Sequence, residues 1–323
     1  MTRRYVPAGT ATDGPDPLAL TPESVGWTHC GLRVLELASG VPRVVTTGGD
    51  ECFVLPLSAT DLRVEIVQGG DRTTVEVDGR ASVFARVTDF VYVGRDSEVS
   101  LTSRTGGEVA LPAARCARTL PARYGPADEV AIETRGAGPA TRQVTNFGSP
   151  EAWSHADRLM CVELLTPDGT WSSYPPHKHD DSPECPVNNE EMYYFRIGRS
   201  GTIDYDADGF GLHRTYTGPR DDLEAADVVD DRIAVRDGDV YVIPRGYHGP
   251  CVAAPGYTMY YLNVLAGPGG ERSMAFCDDP THHWVRDAWD GMPTDPRCPM
   301  TTAAGPVGSV VDAGHPVTHG HER

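Results

Sequence analysis

DVYVIPRGYHG, residues 239–249, runs as an alternating apolar strand, a Pro-Arg-Gly turn and a second extended stretch that carries His248. The same chain holds DFVYVGRDSEV at 89–99. Two more pairs precede these in the same order. LRVLELASG at 32–40 matches LMCVELLTPDG at 159–169, and ECFVLPLS from Glu51 matches EMYYFRIG from Glu191. Three segments repeated in order imply two copies of one β-rich unit. Between them lie further alternating runs at 63–67, 74–77, 98–102, 232–235 and 258–264, each a half-buried strand bounded by turn residues. The 35 Gly and 27 Pro are spread through the chain as punctuation, which fits many short strands and an all-β class with a barrel or sandwich in each half. Two short helices are expected as well, Asp278–Trp289, with acidic residues and Pro280 at its start, and Ser149–Trp153.

The organisation that follows is an N-terminal unit at 1–113, a connector at 114–140, a C-terminal unit at 141–299 and a flexible tail at 300–323. The tail histidines 315, 319 and 321 read as part of that disordered end. A net charge of −18, from 46 acidic and 28 basic residues, argues against nucleic acid as a partner. No apolar run is long enough for a membrane helix, and the opening residues lack a leader's apolar stretch, so a cytoplasmic protein is expected. The eight cysteines are scattered without a CxxC pair and read as free thiols. Oligomeric state stays open between monomer and homo-oligomer.

The chemistry concentrates in the second copy. His177 and His179 flank Lys178, so on a strand both imidazoles share a face while the lysine takes the other. Glu191 opens the next strand and His248 follows the turn at 244–246. Three imidazoles and a carboxylate suit one divalent transition metal, with Zn, Mn, Fe, Ni and Co all accommodated and no organic cofactor called for. The first copy has Glu51 without the histidines, so the metal is expected in the C-terminal unit alone. Around the ligands, Tyr193, His213 and Tyr261 are candidates for proton transfer or hydroxyl contacts. Arg142 and Arg245 are candidate clamps for an anionic group, with Lys178 and Tyr247 beside them. Lys178 is expected on the outside, and Glu190, the neighbour of Glu191, in a structural role.

At these residues the sequence resembles the cupin superfamily. Its first motif runs through His177, His179 and Glu191 to Gly198 with an insertion, and its second through Gly238, Pro244, Gly246 and His248, one residue short. WSSYPPHKHD (171–180), EEMYYF (190–195), DGDVYVIPRGYHGP (237–250) and APGYTMYYLNVLAGP (254–268) resemble more narrowly the 5-deoxy-glucuronate isomerases of inositol catabolism. RQVTNF (142–147), CDDPTHHWVRDAW (277–289), TPESVGW (21–27), SVFARVTDFVYV (82–93) and LPARYGPA (120–127) extend the likeness over about residues 1 to 290. The resemblance implies a bicupin, two tandem jelly-roll barrels, and an aldose–ketose isomerisation of a small anionic sugar acid, 5-deoxy-glucuronate, to 2-deoxy-5-keto-gluconate. It implies His177, His179, Glu191 and His248 as metal ligands. The chain departs from the family in the loop 180–189, at Leu212-His213 and in its tail. The first two departures motivate a related isomerase of another sugar acid. The three histidines and one glutamate would also suit an iron-dependent cupin dioxygenase, and a sugar-binding or storage cupin without activity is a reading from a different class.

Overall fold

The computed structural model describes residues 4–218, 228–243 and 245–307, so Pro244 of the turn and the tail histidines lie outside the described residues. Six sheets account for the strands among the described residues, and four of them build two barrels. In the N-terminal barrel, strands 30–37, 50–56, 90–93 and 107–115 form the centre of a six-stranded sheet. In the C-terminal barrel, strands 160–166, 190–199, 240–243 and 257–266 form the centre of a seven-stranded one, in the same order and all antiparallel. A smaller sheet closes each barrel, four strands in the first and six in the second. The three repeated segments of the sequence thus fall on equivalent strands, and the all-β, two-barrel class is as read.

The central strands of both large sheets are largely buried on both faces. Phe53 and Leu55 from one barrel and Met192, Tyr194, Tyr260 and Leu262 from the other join a single core between the two sheets. The intervening residues point the opposite way. Cys52 and Val54 fill the first barrel, while Tyr193 and Phe195 line the second. Alternation therefore sorts each strand between two cores. It also corrects the pairing of the repeats by one residue: Glu51 occupies the place of Glu190, and Cys52 that of Glu191. A one-residue slip exchanges the faces of a strand, and the burial pattern decides which register is right.

That register exposes a reciprocal contact between the barrels. The Glu51 carboxylate accepts the backbone N–H groups of Asp157 (2.8 Å), Arg158 (2.5 Å) and Leu159 (2.7 Å), at the entry to the first C-terminal barrel strand, and the Tyr92 hydroxyl at 2.6 Å. Glu190 accepts the N–H groups of Thr28, His29 and Cys30, each at 2.8 Å, at the entry to the first N-terminal barrel strand. Each barrel caps the other's leading strand. Arg80 reaches across the same interface to Glu163, which also accepts the Tyr260 hydroxyl at 2.7 Å.

Several expectations need correction. The N-terminal unit does not begin at residue 1 in space, because Tyr5–Val6 pairs with Tyr241 and Val240 at the edge of the C-terminal sheet. The connector is shared out: Arg123–Gly125 adds an edge strand to the first sheet and Ala131–Arg135 adds one to the second. Thr301–Thr302 and Gly305–Pro306 form a hairpin rather than free tail, with buried Thr301 and Met300 held through their N–H groups by the Gln143 side chain. No α-helix occurs among the described residues outside short 3-10 turns. At 278–289 there are only two of them, His283–Val285 and Asp287–Trp289. Asp278 is drawn into a strand beside His177, and Trp284 stays 63% exposed, so a helix there would have no apolar face to bury. Ser149–Trp153 is a single turn closed by Trp153 N–H to Ser149 O at 2.8 Å. The cysteines are not all free, since Cys185 and Cys277 form a disulfide. They are 92 residues apart in sequence, and only the pairing of Lys178 with Cys277 and the fold-back of the 180–188 hairpin bring them together. No helix among the described residues is long and apolar enough to cross a membrane.

Glu51→Ala leaves three amides and a phenol without their acceptor. It is expected to lower the unfolding free energy by about 3–5 kcal/mol in urea titrations. A loss under roughly 1 kcal/mol would show that the clamp does not hold the barrels together.

Candidate active site

The inward face of the second large sheet lines a cavity of about 950 Å³. Period-two runs supply its wall: Arg142, Val144 and Asn146 from one strand, Tyr261, Asn263 and Leu265 from another, Glu191 and Tyr193 from a third. His177 and His179 reach it from the closing sheet, where His177 is the direct antiparallel neighbour of His248.

At one end, nitrogens of His179 and His248 and an oxygen of Glu191 lie within 4.8 Å of one another, all buried. His177 stands just outside that group, its ring 4.4 Å from the ring of His248 and 4.7 Å from that of Phe276. The four residues singled out in sequence are thus brought to one place, three of them tightly. His179 Nδ1 sits 3.0 Å from the Asn189 carbonyl, so that nitrogen carries the hydrogen and donates it. Its Nε2 lies 2.7 Å from Glu191 Oε2, close enough for a protonated ring to donate to that oxygen or for the two atoms to share a bound cation. His248 Nε2 is 2.9 Å from the same oxygen but out of line for a hydrogen bond, and neither of its nitrogens has a hydrogen-bond partner among the described residues. Lone pairs converging on a buried carboxylate repel unless a cation sits among them. The donor set therefore fits a divalent transition metal. Burial works against charge on Glu191, yet nearby His248 and His179 hold it well below the usual carboxylate range. His179 is raised despite its burial, by the Glu191 charge and hydrogen bond. His177 is pushed well down, first by burial and then by His248.

At the far end Arg142 is 5% exposed and forms no ion pair among the described residues. Its Nη1 donates to the Ala140 carbonyl at 3.0 Å, and its Nε has no partner. Burial, with Arg135 and Arg286 nearby, lowers its pKa to about 10, so it remains a cation at neutral pH. The other two arginines of the wall are committed, Arg135 to Glu133 and Arg286 to Asp278. Tyr193 and Tyr261 lie between the two ends with ring centroids 4.7 Å apart, and burial pushes both hydroxyls well above the ordinary phenol range.

The other candidates sit elsewhere. His213 is buried behind the wall with both nitrogens engaged, Nδ1 at 3.2 Å from Cys251 Sγ and Nε2 at 2.9 Å from Thr215 Oγ1. Lys178 is not external. It is fully buried under the 180–188 hairpin, 3.8 Å from Asp180, 3.6 Å from Glu184 and 4.8 Å from the Tyr247 ring centroid. Arg245 is half-buried in its turn, and neither it nor Tyr247 belongs to the cavity wall. Sequence reading missed Asn263, Asn146 and Phe276. The first two share alternation with Tyr261 and Arg142, which was the available signal.

The sequence pattern of one family matches residues 5–285 of this fold and site. The chain belongs to the KduI/IolB family. It is 37% identical over 292 residues to a 5-deoxy-glucuronate isomerase of Geobacillus kaustophilus, an alignment covering 89% of this chain and 97% of that one. To the 5-deoxy-glucuronate isomerase of Bacillus subtilis strain 168 it is 33% identical over 261 residues, 80% and 88% of the two chains. An IolB-like protein from Salmonella typhimurium superposes with a TM-score of 0.74 at 30% identity, over 88% of this chain and 99% of that one. An oxalate decarboxylase variant from Bacillus subtilis gives 0.59 at 10% identity, over 91% and 88%, and shares the fold. The KduI/IolB match covers both barrels, so the cavity belongs to the part of the chain that the family defines.

Burial, then His248, holds His213 down to about 3 against an ordinary 6.5. Below pH 6.5 the unfolded chain takes a proton that the folded chain refuses, so the stability contributed by neutral His213 is lost as pH falls from about 6.5 toward 3. In the metal-free protein, His213→Gln is expected to flatten the fall in unfolding free energy between pH 6.5 and 4 by up to about 1.4 kcal/mol per pH unit. Equal slopes in both proteins would place the acid sensitivity elsewhere.

Proposed function

We propose that the protein is a metal-dependent aldose–ketose isomerase converting 5-deoxy-glucuronate to 2-deoxy-5-keto-gluconate in inositol catabolism. One observation carries the reading: a buried imidazole–carboxylate cluster and an unpaired buried guanidinium stand at opposite ends of one cavity. An open-chain uronate has matching ends, a carbonyl with its neighbouring hydroxyl and a carboxylate. The family and its isomerase relatives support the same substrate.

In this reading His179, Glu191 and His248 hold the metal, with His177 completing the set from the rim. The bound ion would polarise the substrate carbonyl and stabilise negative charge on its oxygens. Arg142 takes the carboxylate through its planar donor fork. Tyr193 stays protonated at neutral pH and so can donate to a substrate oxygen, whereas Tyr261, also protonated, gives its hydrogen to Ser172. Apart from the ligand cluster, the acidic groups on the wall are Glu133, tied to Arg135, and exposed Glu151. Among the described wall residues outside the proposed metal set, no buried carboxylate or imidazole is free to take the C2 hydrogen. That favours its passage to C1 with its electron pair, while the proton of the C2 hydroxyl moves to O1 through Tyr193.

The metal-replete protein incubated with 5-deoxy-glucuronate in deuterated water is expected to lose the aldehyde signal and gain the ketone, with no solvent deuterium at C1. Deuterium at C1 would overturn the hydride path. Absence of turnover at full metal occupancy would overturn the substrate, and oxygen uptake would point to a dioxygenase. Glu191→Ala is expected to drop bound metal from about one equivalent to below roughly a tenth, and unchanged metal content would remove Glu191 from the ligand set. Arg142→Gln is expected to raise KM by about 10- to 100-fold with a smaller change in kcat. An unchanged KM would move the carboxylate elsewhere.

A further inference from the structure

Between the two ends of the cavity, the order of side chains along the wall carries its own information. Asn263 stands opposite Tyr193, which is two residues beyond Glu191 on the neighbouring strand. On its other side Asn263 faces Val162. Two residues further along that strand, Leu164 faces Val144, and Arg142 lies two residues beyond Val144. All of these line the cavity. The sequence of chemistries is therefore imidazole–carboxylate cluster, amide, aliphatic side chains, guanidinium.

The amide is unsatisfied. Asn263 is 8% exposed, its Oδ1 has no hydrogen-bond partner, and its side chain bonds to no described residue. A buried amide left in this state is costly unless a ligand completes it. Beside the aliphatic pair, the Tyr261 hydroxyl is already spent on Ser172 Oγ at 3.2 Å.

We infer that this wall selects the oxygenation pattern of the substrate: Asn263 hydrogen-bonds a hydroxyl in the middle of the chain, and Val144 and Leu164 face the carbon next to the carboxylate, which must carry no hydroxyl. The inference rests on the isomerase reading and deepens it. A hydroxyl at that carbon would be stripped of water against two aliphatic side chains and given no partner. An apolar wall rejects such a group by about 10- to 100-fold, since it denies a hydrogen bond without closing off the space.

The test compares two open-chain ligands that cannot isomerise, the alcohols made by reducing the aldehydes of glucuronate and 5-deoxy-glucuronate, by calorimetry and as competitive inhibitors. The metal-replete wild type is expected to bind the deoxy compound about 10- to 100-fold more tightly. Val144→Thr supplies a hydroxyl partner and is expected to shrink the ratio below about threefold, with Leu164→Ser serving the same purpose should Val144→Thr fail to fold. Asn263→Leu is expected to weaken both ligands by about tenfold and leave their ratio unchanged, because both keep the middle hydroxyls. Equal binding of the two compounds by wild type, or an unchanged ratio in Val144→Thr and Leu164→Ser, overturns the inference. If wild type turns over 5-deoxy-glucuronate while binding both equally, this inference alone fails. If it does not turn over 5-deoxy-glucuronate, the isomerase reading fails first.

Discussion

The two large sheets pack back to back, and each must therefore be apolar on one side for its neighbour and furnished for its own barrel on the other. In the Glu190–Arg199 strand this alternation sends Met192 and Tyr194 into the shared core and Glu191 and Tyr193 into the cavity. The carboxylate proposed to bind metal and the interface residues are thus consecutive on one strand. The sheet cannot shift by a residue to relax one side without emptying the other. A rigid wall of this kind is what a site needs if its groups are to be held apart at fixed distances.

Much of the fold was legible because the repeat is written in strands whose period is two. The three paired segments fall on equivalent strands, and the spacing of His177 and His179 announced a shared face. The register of the repeat was not legible, since Glu51 resembles Glu191 as text while its contacts are those of Glu190. Local pattern cannot tell two glutamates on opposite faces apart when both open a strand; only the partners across the interface do. The same limit explains Lys178. Alternation correctly turned it away from the imidazoles, but whether that outer face meets water depends on a hairpin that folds over it from later in the chain.

The helix expected at 278–289 failed for a related reason. Its caps and proline are genuine helix-start features, yet Asp278 is claimed by the strand beside His177 and by Arg286 and His283. Tertiary pairing outweighs a few tenths of a kcal/mol of local preference per residue. At the site the legible part was the donor set. The wall was less so, because Asn263 and Val144 look like ordinary strand residues until the register sets them in line with Arg142.

The opening strand has a temporal consequence. Tyr5 pairs with Tyr241, 236 positions later in the chain (241 − 5). At about 5–20 residues per second of synthesis, its partner is made roughly 12–50 s after it. Until then those first residues have no sheet to join, and both glutamate clamps wait as well for segments of the other barrel. A growing chain on the ribosome can form the interior of its first barrel, but its outer sheet face stays open until the second emerges. Pairing of Tyr5–Val6 with the second large sheet therefore cannot precede synthesis of Tyr241.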